Sequence, residues 1–272
     1  DIGQPMRLWH LVSFAHLGSP LLWDLLLTIA YLIISTVYLL RLIQAERQSV
    51  APPKWLAYVV LIAGLADGLT AFVFATQTAH EFWFSAIQPM MFEVAAIASA
   101  GALLMLVLSI LKSSGYLTLK LADLKPLAIV TAVMLGLALM LIASEVVTLS
   151  FGQSETGKSL VNAMTSTPLF WIEIVAFVVA IILLLTPQIR TQFAGITIAA
   201  IIILIGMVAK RLLFVALGFV MPNISYPGID VGSPLNSPSA LEWVLTLGLA
   251  ALFALLLTLG FRTLPLKPQL QD

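Results

Sequence analysis

Ionisable side chains stand at five places within the long apolar stretches of this sequence. They are Asp67, Glu93, Glu145, Glu173 and the adjacent pair Lys210 and Arg211. If these stretches cross a membrane, a charge at the bilayer centre costs about 2.5–3.5 kcal/mol on insertion scales, so each residue should face protein or water and find a partner. Together they can form a proton path or a static ion-pair network, and they are candidates for both.

The apolar stretches are long enough to cross a bilayer. Of the 272 residues, 61% are hydrophobic and 10% charged, and the mean hydropathy is +1.07. A spanning helix needs roughly 20 apolar residues, because each residue rises 1.5 Å and lipid cannot pair with free backbone groups. The sequence therefore predicts an all-α polytopic transmembrane bundle with seven spanning helices, at about 21–43, 55–77, 88–112, 126–151, 167–187, 194–221 and 240–261.

The basic residues predict the direction of these helices. Lys and Arg flank alternate loops and the C-terminus, at Arg41, Arg47, Lys54, Lys112, Lys120, Lys125, Arg190, Arg262 and Lys267, whereas the opposite loops hold only Arg7 and Lys158. By the positive-inside rule the C-terminus is cytoplasmic. We expect an outer interfacial segment at 1–20, a bundle at 21–262 and a cytoplasmic tail at 263–272.

Depth along the helices groups the charged residues. Asp67 and Lys210 both lie about ten residues from the outer ends of their helices, roughly 15 Å below the surface, so an ion pair between them is geometrically allowed. The three glutamates Glu93, Glu145 and Glu173 lie within about seven residues of outer ends, which predicts a polar cavity opening outward. Two other interpretations stay open: the charges fix helix register only, or Glu145 and Glu173 reach the outer water.

Cysteine and histidine usage limits the redox groups of this chain. It has no cysteine, which excludes disulfides, thiolate-ligated iron–sulfur clusters and covalently attached c-type haem. His10, His16 and His80 all fall on the predicted outer side, so a bis-histidine haem between helices is not expected. No metal site is predicted, nothing favours nucleic acid, and any metal redox centre is expected in partner subunits. A run of small residues from Ala95 to Ala102 predicts close helix packing.

Three stretches carry a family pattern. The first is Asp1-Ile2-Gly3-Gln4-Pro5 with Arg7, Trp9-His10 and Ser19-Pro20-Leu21-Leu22-Trp23-Asp24; the second runs from Phe82 to Ala102; the third joins Lys210-Arg211, the loop ending at Pro238 and Glu242-Trp243. Together they resemble the NrfD/polysulfide reductase membrane subunits, whose signature begins D-x-G-R-P…S-P-x-x-W-D. Gln4 stands where the family usually has Arg, Asp67 where larger members have His, and Glu93 where an apolar residue is usual.

The resemblance implies a quinone-reactive or anchoring subunit of a respiratory oxidoreductase complex in a bacterial cytoplasmic membrane. It implies menaquinone or ubiquinone bound near the outer face, and electron exchange with a docked ferredoxin-like iron–sulfur subunit. A molybdopterin catalytic subunit often follows, and family members hold no haem or cluster of their own. Because the sequence begins at Asp1 within what resembles an interhelical loop, further N-terminal helices are expected in the complete protein.

Quinol oxidation releases two electrons and two protons, so positioned bases are required. The candidates for this catalytic role are His16, Asp24 and Asp67. The candidates for quinone binding are Arg7, His10, His16, Asp24 and Gln88, with the headgroup under residues 1–24 between the first three predicted helices and its tail in lipid.

Two rival functions remain. A secondary transporter also carries intramembrane charges and Gly-rich helices, although no internal repeat is evident in this sequence. A purely structural anchor would tether an extrinsic enzyme and do no redox chemistry.

Overall fold

All regular secondary structure in the described part of the chain is helical. The computed structural model describes residues 8–14, 16–76, 78, 82–117, 120–152, 155–190, 192–220 and 239–263. The helices are α1 (Leu8–Ser13), α2 (Pro20–Arg47), α3 (Lys54–Gly68), α4 (Phe72–Ala75), α5 (Gln88–Ser113), α6 (Leu121–Phe151), α7 (Glu155–Ser166), α8 (Pro168–Leu185), α9 (Pro187–Arg190), α10 (Phe193–Val220) and α11 (Ala240–Thr263).

Seven apolar helical segments among the described residues are long enough to span a membrane, which confirms the predicted fold class. They are α2, the segment Lys54–Ala75, α5, α6, α8, the segment Phe193–Gly218 of α10, and α11. Helix α6 begins five residues before the predicted 126, because hydropathy marks only its apolar part. Its first turns hold the charged residues Asp123 and Lys125, and the backbone N–H of Lys120 donates to Asp123 Oδ2 at 3.1 Å.

Proline occupies the first turn of several spanning helices. Pro20 and Pro168 are the first residues of α2 and α8, and Pro89 is the second residue of α5. Proline suits this position because its missing N–H would have no helical partner there and its φ angle is already helical. These prolines set where the chain enters the membrane from the predicted outer side.

Helices α5, α6, α8 and α10 form the packed centre of the molecule. Helix α8 packs most extensively against α10, and α5 packs against both α6 and α10. Small side chains allow this approach, since Ala98 and Ala102 of α5 are fully buried. The close packing predicted for the run from Ala95 to Ala102 is therefore confirmed.

The amphipathic helix α7 lies at the end of this bundle that the basic residues predict to be outer. Leu160 and Met164 are buried against neighbouring helices, and α7 packs against α6, α8 and α10. By contrast, α2 and α11 carry large exposed apolar side chains along their length. Helix α11 packs only loosely against the rest of the described chain. One contact is a hydrogen bond from the Tyr116 hydroxyl to the carbonyl of Phe261, which lies in α11.

The second spanning segment is interrupted near its outer end. Helix α3 ends at Gly68, one 3₁₀ turn follows over Leu69–Ala71, and α4 resumes at Phe72. The 3₁₀ turn packs against both α2 and α5. This irregularity places Asp67 and Thr70 between those two helices.

The α5–α6 contact depends on the missing side chain at Gly101. A Cβ atom added there would lie 2.2 Å from Thr131 Oγ1, and Thr131 is a buried, β-branched residue with little freedom to move. We expect Gly101→Ala to destabilise the protein by about 1–3 kcal/mol through overpacking, measured as a lower unfolding temperature in detergent. Gly136→Ala is the control, because no atom lies within 4 Å of its added Cβ. Equal unfolding temperatures for both variants would contradict the prediction.

Candidate functional site

The first polar group, the Asp67 cluster, joins α2 to the second spanning segment. It consists of Asp24, Thr28, Asp67, Thr70 and Glu93. The Thr28 hydroxyl donates to Asp67 Oδ1 at 2.6 Å. The Thr70 hydroxyl lies 2.5 Å from Asp24 Oδ1 and 2.6 Å from the Asp67 carbonyl oxygen. Three carboxylates of this cluster thus come from three spanning segments.

Glu93 enters the Asp67 cluster through the space that Gly68 leaves open. A Cβ atom added at Gly68 would lie 1.6 Å from Glu93 Oε2, so only glycine accommodates the carboxylate in this position. Glu93 Oε2 is buried and has no hydrogen-bond partner within the described chain. A buried acceptor without a partner is costly, and it is available to a donor that the chain itself does not supply.

The second polar group, the Glu173 cluster, lies inside the packed bundle. Its members are Gln88, Glu145, Glu173 and Lys210. Lys210 Nζ donates to Glu173 Oε1 at 3.0 Å, and Gln88 Nε2 donates to Glu145 Oε1 at 2.8 Å. Gln88 Nε2 also lies 3.3 Å from the Phe82 carbonyl oxygen. The cluster connects α5 with α6 and α8 with α10.

Burial separates the Glu173 cluster from ordinary surface ion pairs. Gln88 and Glu173 are each 2% exposed, and Glu145 is 6% exposed. Removing one partner of a buried ion pair leaves an uncompensated charge, which typically costs about 3–5 kcal/mol. The lysine and the glutamates are therefore energetically dependent on one another's position.

A small cavity adjoins the Glu173 cluster. Its volume is about 40 Å³, and polar groups of the cluster share its lining with Met91, Ile142, Met164 and Phe170. A water needs roughly 10–15 Å³ of such space and two to four polar partners, whereas a cavity of ~150 Å³ is what accommodates a benzene ring. The cavity therefore has room for a few waters and none for an aromatic headgroup.

Aromatic side chains lie between the two polar clusters. Phe74 of α4 stacks on Phe92 at 5.6 Å, and Phe214 meets Phe92 edge-on at 4.9 Å. Trp83 packs against both Phe74 and Phe214. We call these four residues the aromatic wall. The guanidinium carbon of Arg211 lies 4.8 Å from the centre of the Phe92 ring, so this charge faces the aromatic wall.

The structure changes two predicted relations among the intramembrane charges. Lys210 pairs with Glu173 and not with Asp67, because α10 packs directly against α8, whereas Asp67 lies against α2. Glu145 and Glu173 are buried and do not reach outer water, since α7 and the neighbouring helices cover this end of the bundle. The sequence predicted a polar cavity opening outward, whereas the cavity beside this cluster is small and has apolar side chains over most of its lining.

The predicted quinone contacts do not form one group. Asp24 belongs to the Asp67 cluster, whereas Gln88 belongs to the Glu173 cluster. His10 is exposed and its ring meets Phe14 edge-on at 5.7 Å. His16 is exposed, and its Nδ1 accepts a hydrogen bond from the Gly18 backbone N–H at 3.1 Å. Arg7 and His80 lie outside the described residues.

Sequence reasoning missed the hydroxyl partners of the carboxylates. Thr28 follows Asp24 by four residues on α2, and Thr70 follows Asp67 by three. The spacing puts each threonine on the same face as the carboxylate before it, but the side-chain hydrogen bonds cross between segments, from Thr28 to Asp67 and from Thr70 to Asp24, which only helix packing decides.

Comparisons with known proteins support the family resemblance of the sequence motifs. A family model described as polysulphide reductase, NrfD, matches residues 1–223. The putative membrane subunit of the dimethyl sulfoxide reductase of Halobacterium salinarum is 25% identical over 100% of this chain and 71% of its own length. A subunit of the selenate reductase of Mesobacillus selenatarsenatis is 22% identical over 97% of this chain and 72% of its own. The Hdr-like menaquinol oxidoreductase integral membrane subunit of Archaeoglobus fulgidus is 26% identical over 99% and 71%.

The ion pair of the Glu173 cluster makes a double-variant test possible. Lys210→Met leaves Glu173 buried without its cation, and we expect a stability loss of about 3–5 kcal/mol. The double variant Lys210→Met with Glu173→Leu replaces the pair by apolar groups of similar size, and should recover most of the unfolding temperature. The single variant Glu173→Leu completes the cycle. If the stability losses of the two single variants simply add in the double variant, the ion pair does not exist as described.

Proposed function

This chain belongs to the NrfD polysulphide reductase family, and we propose that it is the membrane subunit of a respiratory oxidoreductase complex that binds a quinone or quinol near its outer face. Electrons would pass between that site and an iron–sulfur subunit docked there. The relative whose name includes menaquinol oxidoreductase supports the quinone assignment. The family match over residues 1–223 supports the subunit assignment.

The observation that carries the site assignment is the buried acceptor Glu93 Oε2. A bound quinol supplies two electrons, two protons and hydroxyl donors. Glu93 offers an unpartnered acceptor, and Asp67 lies beside it in the same cluster. These carboxylates would hold the hydroxyl and take up its proton, as general bases do at hydrogen-bond distance.

The surroundings of the Asp67 cluster also suit a lipid-soluble ligand. Helix α2 and the segment Lys54–Ala75 carry exposed apolar side chains, including Leu32 and Leu61. An isoprenoid tail could therefore leave sideways into lipid. In this proposal His16, His10 and Arg7 belong to the segment above the headgroup, and Asp24 is a second proton acceptor.

The Glu173 cluster takes a different part in this proposal. Its cavity of about 40 Å³ is too small for a quinone ring, which needs at least the ~150 Å³ that holds benzene. We therefore assign Gln88 to this cluster and not to the headgroup site. Glu145, Glu173 and Lys210 would carry protons through waters in the cavity, with Arg211 beside them, or would hold the helices as a static network.

We also propose the partner subunits of this chain and its orientation in the membrane. A ferredoxin-like iron–sulfur subunit would dock on the side that carries α1 and α7, followed by a molybdopterin or other catalytic subunit. The C-terminus would be cytoplasmic, because the basic loops lie on that side. A bacterial cytoplasmic membrane is the proposed location of this multi-pass protein.

A purely structural anchor is the second candidate, favoured by the closed ion pair between Lys210 and Glu173. Quinone-dependent reduction of iron–sulfur clusters in the purified assembly separates the two candidates. An anchor would permit assembly and show no such reduction. A transporter would show substrate flux across the membrane and no quinone-dependent reduction of the clusters.

Asp67→Asn tests the acid at the centre of the proposed site. Asparagine keeps the size of the side chain and an acceptor for Thr28, but it cannot act as a base. We expect quinone-linked turnover of the purified complex to fall at least about 100-fold, the lower range for loss of a general base, while assembly persists. Glu46→Gln is the matched control, since Glu46 is exposed near the opposite end of α2. Normal turnover in Asp67→Asn would leave only a structural role.

Gly68→Ala tests the position of Glu93 without changing the acid. The added Cβ must expel the Glu93 carboxylate from beside Asp67, and this shift is cheap because it moves the end of a flexible side chain. We expect stability to change by less than about 1 kcal/mol, while turnover falls as far as in Glu93→Gln. Full activity in Gly68→Ala together with loss in Glu93→Gln would show that Glu93 acts from elsewhere.

A further inference from the structure

A groove of about 320 Å³ lies at the opposite end of the first two spanning segments from the Asp67 cluster. Its lining combines polar side chains with apolar ones. Val37, Arg41 and Gln44 come from α2 and Gln48 from just after it, and Trp55 and Leu56 come from α3. No acidic residue is among those that line it in the described chain. The proposed quinone function uses none of these residues.

The depth of the groove matches the boundary between hydrocarbon and headgroups. Helix α2 has 28 residues, about 42 Å at 1.5 Å each, which exceeds a hydrocarbon core of about 30 Å by several residues at each end. Arg41 lies six residues before the end of α2 at Arg47, about 9 Å along the axis. The Arg41 backbone therefore lies about 3 Å inside the hydrocarbon boundary, and its long side chain can extend to the lipid phosphates. Trp55 is of the type enriched at this level.

The polar half of the groove suits a phosphate. Arg41 Nη1 donates to Gln44 Oε1 at 3.3 Å, which orients the guanidinium along the groove. Guanidinium carries five N–H donors in a planar fork that matches phosphate oxygens. The Gln48 side chain adds an amide to the same lining, and Arg47 and Lys54 raise the local positive potential.

The apolar half of the groove indicates where this phosphate comes from. Val37 lies one helical turn deeper in the membrane than Arg41 and is 43% exposed, so the groove continues into the hydrocarbon region. A free inorganic phosphate would leave that part unfilled, whereas a phospholipid places an acyl chain there.

We propose that this groove binds one anionic phospholipid, with its phosphate against Arg41 and Gln48 and one acyl chain along Val37 and Leu56. A single-site lipid of this kind would hold the hairpin formed by α2 and α3 at a defined depth. Anionic lipids also concentrate near basic loops, which raises occupancy of the site.

Lipid retention tests this site with a matched pair of variants. The chain, purified with its associated subunits, is reconstituted with phosphatidylcholine containing phosphatidylglycerol, and bound lipid is counted by native mass spectrometry. Arg41→Gln should weaken phosphatidylglycerol retention by about tenfold, as expected for loss of a charged hydrogen-bond donor. Arg47→Gln removes the same charge outside the groove lining and should change retention by less than about twofold. Gln48→Ala, a second variant inside the groove, should weaken retention in the same direction.

Three outcomes would overturn the proposal. Equal losses in Arg41→Gln and Arg47→Gln would mean that diffuse charge alone attracts the lipid. Displacement of the lipid by millimolar inorganic phosphate would mean a free-anion site. Equal retention of phosphatidylglycerol and phosphatidylcholine by the unaltered protein would mean that the anionic charge is not recognised. Helical circular dichroism of each variant confirms that it is folded.

Discussion

The buried ion pair between Lys210 and Glu173 constrains how the packed half of this protein can be arranged. Lipid offers no water to solvate either charge, so each requires the other at hydrogen-bond distance, and they meet at 3.0 Å. The pair joins α10 to α8, the two helices with the most extensive contact. Gln88 and Glu145 form a second polar contact beside it, between α5 and α6. Polar contacts thus join α10 to α8 and α5 to α6.

The two polar clusters differ in which parts of the protein surround them. The Glu173 cluster is enclosed by α5, α6, α8 and α10, and α7 covers its outer end. The Asp67 cluster takes its residues from α2, from the second spanning segment and from α5. The other faces of α2 and α3 are exposed and apolar. The aromatic wall, with Phe74 stacked on Phe92, stands between them. In the proposed function, a lipid-soluble ligand and a few waters occupy separate sites, one at each cluster.

Individual residues show how far sequence reasoning reached in the site. It identified every carboxylate of both clusters, and it predicted that the intramembrane glutamates lie near the ends of their helices. It allowed an ion pair between Asp67 and Lys210, whereas the structure pairs Lys210 with Glu173 and places Thr28 against Asp67. It grouped Gln88 with Asp24, which belong to different clusters. Sequence analysis identified Glu93 as a charge within a spanning helix. It did not predict that Gly68 leaves the space that the Glu93 carboxylate occupies.

Sequence by itself determined the number of spanning helices, their approximate ends, their predicted direction and the depth of each charge. These properties follow from hydrophobic length, from the placement of Lys and Arg, and from a fixed rise of 1.5 Å per residue. Tertiary structure alone decided which charges meet, because residues at equal depth on different helices are distinguished only by which helix faces which. Asp67 and Lys210 were predicted at the same depth, and the packing of α8 against α10 gave Lys210 another partner.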